Sequence, residues 1–149
     1  MKKRNFIENK NGQIEMSFKM IFSIILVITF LGFGFYAITK MVEMQETVQI
    51  EKFKDDFQED VKEMWEGSIQ GSETKRYILP KKIEAVCFTD NEIKNMEFKS
   101  ENIIPGKDIK YLNLEKILDG EKIFCVENIN GRVSLILSKE FGENLVSIK

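Results

Sequence analysis

Few side chains here could do chemistry, and the two cysteines are the most informative of them. Cys87 and Cys125 stand 38 residues apart, each midway along an alternating segment. Two thiolates cannot complete a four-cysteine zinc site, and nothing resembles the Cys-x-x-Cys of redox catalysts. What remains is a structural bridge or two small buried hydrophobes. Asp56, Glu59, Asp60 and Glu63 form an acidic cluster. Carboxylate oxygens in such a cluster could hold calcium, but the interspersed Lys52, Lys54 and Lys62 favour a solvated face. The chain has no histidine, which removes Ser-His-Asp and Cys-His catalysis and every His-ligated metal. A serine nucleophile would then need a lysine base. There is no Gly-rich phosphate loop of standard spacing and no Asn-x-Ser/Thr sequon. Neither enzyme activity nor a cofactor is expected.

The elements that would carry these residues divide by charge. Residues 1–40 hold six basic and two acidic side chains, a net of +4; the remaining residues carry a net of −6. An uncharged apolar run, residues 20–38, separates the two. As a helix at about 1.5 Å per residue it reaches across a hydrocarbon layer of about 30 Å. Lys19 and Lys40 bracket it and can snorkel; Phe33, Phe35 and Tyr36 suit an interface. Gly32 and Gly34 allow close approach but lack the GxxxG spacing. A secretory leader has a shorter apolar core ending in small residues, whereas this run ends Phe35-Tyr36-Ala37. The positive flank keeps residues 1–19 in the cytoplasm and places residues 41–149 outside the cell. There, a bridge between Cys87 and Cys125 would persist, and it is the expected state. An acidic chain of pI about 5.4 is a poor nucleic-acid partner.

The stretch Lys10-Asn11-Gly12-Gln13-Ile14-Glu15-Met16-Ser17-Phe18 resembles the processing site of archaeal type IV pilin-like proteins with class III signal peptides. The resemblance implies removal of a basic leader, residues 1–12, by a cut between Gly12 and Gln13. It implies a structural role: N-terminal helices pack together in a filament or pseudopilin-type assembly, with related subunits as partners. Glu15 would then pair with the freed amino group of a neighbouring subunit. In the family the acidic residue often stands fifth after the cut; here Glu15 is third and Ser17 fifth, and Asn11 separates the basic residue from the glycine. The chain also resembles, more loosely, uncharacterised single-span archaeal membrane proteins. Two alternatives stay open. Glu15 can pair with Lys19 at the favourable i,i+4 spacing on its own helix, and the chain can be an uncleaved anchor for an extracytoplasmic sensor or adhesin head.

Beyond the span, assigned to residues 13–40, helical periodicity continues through residues 41–71. Ile50, Phe53, Phe57, Val61 and Met64 share one face, preceded by a shorter stripe of Met41, Met44 and Val48. Gly67 and Gly71 supply the stop. From residue 72 to 149 the pattern is β-rich. KRYIL, KIEAVCFTD and IKNMEFK read as strands, and in the second Val86 and Phe88 oppose Ile83, Ala85 and Cys87. LNLEKILDG reads as a short helix or a strand approach. Asn130-Gly131 predicts a hairpin joining EKIFCVE to RVSLILSK, since a type I′ turn needs positive φ at both central positions, and ENLVSIK closes the chain as a last strand. The expected fold class is α+β: one long N-terminal helix, partly transmembrane, packed on a small antiparallel sheet.

Overall fold

A computed structural model describes residues 10–67, 71–91 and 93–149, with residues 10–17 described by their backbone alone. The chain runs α1 (Lys10–Glu66), β1 (Gly71–Ile78), β2 (Ile83–Thr89), β3 (Met96–Ser100), α2 (Leu114–Leu118), β4 (Ile123–Glu127), β5 (Arg132–Lys139) and β6 (Ser147–Ile148). It divides into two compact units, Met1–Met44 and Gln45–Lys149. In the first unit the described side chains are exposed, apart from a half-buried Gly34.

In the second unit, α1 buries the face that its spacing announces. Ile50, Phe53, Phe57 and Val61 are each at most 6% exposed, and Met64 packs partly against the same cluster. The earlier stripe does not join them: Met41, Met44 and Val48 stay exposed. Lys54, expected on the solvated side, is buried at 4% exposure. Its ammonium pairs with Glu51 at 2.8 Å and lies 5.7 Å from the centre of the Phe98 ring, so both charge and stem are satisfied against apolar neighbours.

The class is α+β, with two antiparallel three-stranded sheets where the sequence suggested one. Their orders are β1-β5-β6 and β3-β2-β4. Both inner faces and α1 contribute to a single core. The reason for two sheets lies at the predicted hairpin. Asn130 and Gly131 have φ of 55° and 82°, and Ile129 and Arg132 exchange backbone bonds of 2.9 and 3.1 Å, so the turn forms. The strands it joins then part: β4 pairs with β2, while β5 pairs with β1 and β6. Asn128 occupies the corner. Its amide donates to the carbonyls of Pro80 (3.0 Å) and Ile83 (2.8 Å), and its backbone N–H donates to Glu84 (2.7 Å). Ile83 and Glu84 open β2, and Pro80 lies in the β1–β2 link, where it has no N–H to extend a ladder. Gly131 must come close here, for a Cβ would stand 3.2 Å from the Leu79 carbonyl oxygen.

A β-bulge resets the alternation in β2. Ile83 pairs with Ser100 and Ala85 with Lys99, which leaves Glu84 as the extra residue. Ile83 therefore turns to the core side with Val86 and Phe88, not to the side of Ala85 and Cys87 as simple alternation suggests.

Elsewhere, side chains close the ends. Asn113 caps α2, its Oδ1 accepting from the Lys116 N–H at 3.1 Å, which settles LNLEKILDG as a short helix. Lys139 donates to the Trp65 carbonyl at 2.6 Å and to the Gly67 carbonyl at 3.3 Å, so a cation from β5 closes the C-terminus of α1. The loop before α2 is tied down by buried Asn95, whose amide donates to the Ile109 carbonyl (2.7 Å) and accepts from its N–H (2.8 Å). Tyr111 has a φ of 70°, rare for a bulky residue; its ring stacks on Trp65 with centroids 4.0 Å apart.

Phe57→Ala removes a fully buried ring and should destabilise the domain by about 3–5 kcal/mol. Phe141→Ala, the same change at a residue 89% exposed, should stay within about 0.5 kcal/mol. Urea unfolding of the full chain in detergent, followed by Trp65 fluorescence, measures both.

Candidate functional site

Of the residues singled out in the sequence, the structure joins one pair outright. Cys87 and Cys125 form a disulfide, and they sit directly opposite one another on β2 and β4. They lie on the side of the sheet away from the core: neither belongs to the buried cluster. Gly12, Gln13 and Glu15 fall within the helical backbone of α1, and their side chains lie outside the described residues. The run from residue 20 to 38 presents Phe22, Phe30, Phe33 and Phe35 at 58–70% exposure. Among the described residues of its own unit, nothing covers it. By length and composition this helix can cross a membrane.

The acidic cluster on α1 does not act as one group. Asp56, Glu59 and Glu63 are exposed, while Asp60 turns toward β1. There its Oδ2 accepts from the Tyr77 hydroxyl at 2.6 Å, and its Oδ1 lies 3.0 Å from the Lys75 ammonium. Glu73 flanks the same ammonium at 3.2 Å. Among the described residues, no three His, Cys, Asp or Glu side chains group as a metal site. Burial, reinforced by the hydrogen bond to Asp60 and its charge, pushes the Tyr77 phenol well above its usual value. The hydrogen bonds from Lys75 to Asp60 and Glu73 raise the lysine as well.

That shift bears on a spacing the sequence reading passes over. Ser72-Glu73-Thr74-Lys75 is a Ser-x-x-Lys segment, the arrangement a histidine-free hydrolase could use. It lies on β1, where residues three apart face opposite sides. A general base needs a depressed lysine, whereas Lys75 is held charged by two carboxylates. The pair has neither the geometry nor the protonation state for acyl transfer.

A groove of about 400 Å³ opens beside this node, lined by Asp60, Glu63, Met64, Glu73 and Lys75 among others. Asp60, Glu73 and Lys75 are already engaged with one another, which suits a solvated seam between α1 and β1. Just past the C-terminal end of β5, Lys116 bridges Glu140 and Glu143, each at 2.9 Å. The bonds raise Lys116 and lower Glu140.

The chain matches no protein-family profile, no curated protein and no solved structure.

Two outcomes follow from this geometry. Replacing both cysteines by serine opens a loop of 38 residues and should cost about 4 kcal/mol in the chain-entropy account, read as a lower urea midpoint. The Tyr77 phenol has a folded pKa above its unfolded value. Its contribution is therefore complete below the unfolded pKa of about 10 and is lost as pH rises beyond it, by up to about 1.4 kcal/mol per unit. Unfolding curves from pH 8 to 11 should show a steeper alkaline loss in the wild type than in Tyr77→Phe.

Proposed function

We propose that this chain is a single-pass membrane protein with its N-terminus in the cytoplasm and its disulfide-bridged domain outside. Its role is that of a pilin-like structural subunit, not an enzyme. The observation that supports this most is the contrast along α1. Its apolar side chains are exposed through residues 18–38, while Ile50, Phe53 and Phe57 are buried beneath two sheets. A helix with one stretch covered by its own domain and another exposed within its own unit calls for a second apolar environment, and a lipid bilayer supplies it. The charge asymmetry supports the orientation, and an oxidised cysteine pair suits an extracytoplasmic compartment. The histidine-free composition and the self-satisfied Asp60–Lys75–Tyr77 node support a non-catalytic role. Nucleic acid is not a partner of this acidic chain.

The pilin-like reading rests on residues 10–18. After a cut between Gly12 and Gln13, Glu15 enters the apolar layer and pairs with the amino group of a neighbouring subunit, so that the partners are lipid and other N-terminal helices. Intact mass and N-terminal sequencing of protein isolated from its own membranes test this directly. A chain beginning at Gln13 is expected. One beginning at Met1 transfers the assignment to an uncleaved anchored binding module.

Glu15→Gln discriminates further. In a filament, it leaves a buried charge unpaired, at a cost of about 3–5 kcal/mol. Surface assemblies seen by electron microscopy should then disappear while the domain remains folded. If Glu15 only meets Lys19 on its own helix, the loss is a few tenths of a kcal/mol, about the same as for Lys19→Gln.

A further inference from the structure

The outer face of the β3-β2-β4 sheet presents its side chains in rows. Glu97, Cys87 and Cys125 lie side by side across the three strands, and the next row is Lys99, Ala85 and Glu127. The two cysteines differ sharply in exposure. Cys87 sits in the central strand at 4% exposure. Cys125 sits on the edge strand β4 and is exposed to solvent. Ile123, two residues away on the same face, is 47% exposed. Strand pairing holds the two Cα atoms 4.0 Å apart.

We infer that this face is a thiol–disulfide exchange site in which Cys125 is the entry cysteine and Cys87 the resolving one, and that an external disulfide donor installs the bridge after the sheet has folded. The inference goes beyond the anchoring role and holds whether or not the chain assembles.

The chemistry balances through one mixed disulfide. The Cys125 thiolate attacks a sulfur of the donor disulfide; a Cys125–donor bond forms, and the donor's other sulfur leaves as a thiolate. The Cys87 thiolate then attacks Cys125 Sγ, forming the internal bond and releasing the donor's second sulfur. The cysteine pair loses two electrons and two protons, and the donor disulfide is reduced to two thiols. Exchange depends on which sulfur can be approached. A donor reaches Cys125 from the open edge of β4, whereas β3 and β4 flank Cys87 on both sides.

Two further observations support the order and the partner. The core contains neither cysteine, and β2–β4 pairing is carried by backbone bonds and by Val86, Phe88, Phe124 and Val126 on the opposite face. The sheet therefore presents the sulfurs to each other before they are joined. The surroundings also select the donor. Glu97 and Glu127 border the cysteines, and the nearby Lys99 is bridged to Glu84 at 3.3 Å. A disulfide with neutral or cationic flanks is favoured over an anionic one, and salt weakens the preference.

The test uses the full chain in detergent, reduced, as Cys87→Ala and as Cys125→Ala, with cystamine and oxidised glutathione as probes and mass spectrometry as the readout. Cys87→Ala, which keeps Cys125, should form its mixed disulfide at least about tenfold faster than Cys125→Ala. The two rates should converge in denaturant. Cystamine should outpace oxidised glutathione at low salt, with the difference closing at high salt. Equal native rates, or a faster Cys87, would overturn the assignment of the entry cysteine; an equal response to both probes would overturn the donor class. Reduced wild-type protein should keep its far-ultraviolet circular dichroism and Trp65 fluorescence, and a reduced chain lacking the native signals would overturn the post-folding order. If either variant fails to fold, a limiting alkylating agent on reduced wild type decides the same question: Cys125 should be modified first, and first modification at Cys87 refutes the site.

Discussion

Phe53 and Phe57 are the contact on which the folded unit depends, because they touch both sheets at once. Phe53 meets Tyr77 of β1 edge-on at 5.1 Å and Phe98 of β3 at 5.9 Å. Phe57 meets the same Tyr77 at 5.9 Å and Phe88 of β2 at 5.8 Å. Two three-stranded sheets with no shared ladder have little reason to stay together by themselves. The aromatic pair fills the seam between them, and aromatic contacts of this kind add about 0.5–1.5 kcal/mol each beyond the area they bury. Tyr77 sits at the hub, with its ring in the seam and its hydroxyl on Asp60, so the helix is held by both an apolar and a polar bond to one strand.

The same helix answers to two solvents. Ile50, Phe53, Phe57 and Val61 find protein, whereas the apolar residues from Phe18 to Ile38 find none among the described residues of their unit. Each exposed large apolar side chain costs about 1.5–3 kcal/mol in water relative to burial. An environment that takes these side chains out of water is thus favoured, and by length and composition the helix can cross a membrane.

Much of the domain is legible in the sequence where one period dominates. The 3–4 spacing from Ile50 to Val61 marks the buried stripe, and the Asn130-Gly131 pair marks a turn with left-handed φ at both positions. Two features escape because they rest on interactions between distant residues. Nothing local in EKIFCVENINGRVSLILSKE says that the strands will separate; that depends on Asn128 reaching carbonyls of Pro80 and Ile83, more than forty positions earlier. Nor does KIEAVCFTD reveal its bulge, since Glu84 is displaced by register with β3. Lys54 is misread for a related reason: a charged residue reads as solvated until Glu51 and the Phe98 ring are both beside it. The site residues divide likewise. The cysteine pair is visible from its placement on two strands, but the unequal exposure of the two cysteines appears only with strand order.

The separation at Asn128 has a consequence for how the chain reaches its fold. β1 finds its partner not in β2 but in β5, along a register running from Ile78–Arg132 to Gly71–Lys139. One sheet is thereby assembled from the first strand and the last two, and the other from the strands between. Neither a local hairpin nor a growing N-terminal fragment can complete the seam that Phe53 and Phe57 fill. Pairings of such sequence separation raise contact order and slow folding. As the chain emerges from the ribosome, β2, β3 and β4 can cover only part of the apolar face of α1, through Phe88 and Phe98; the side that meets β1 is closed only once β5 has been made, so that the later strands commit the domain to its structure.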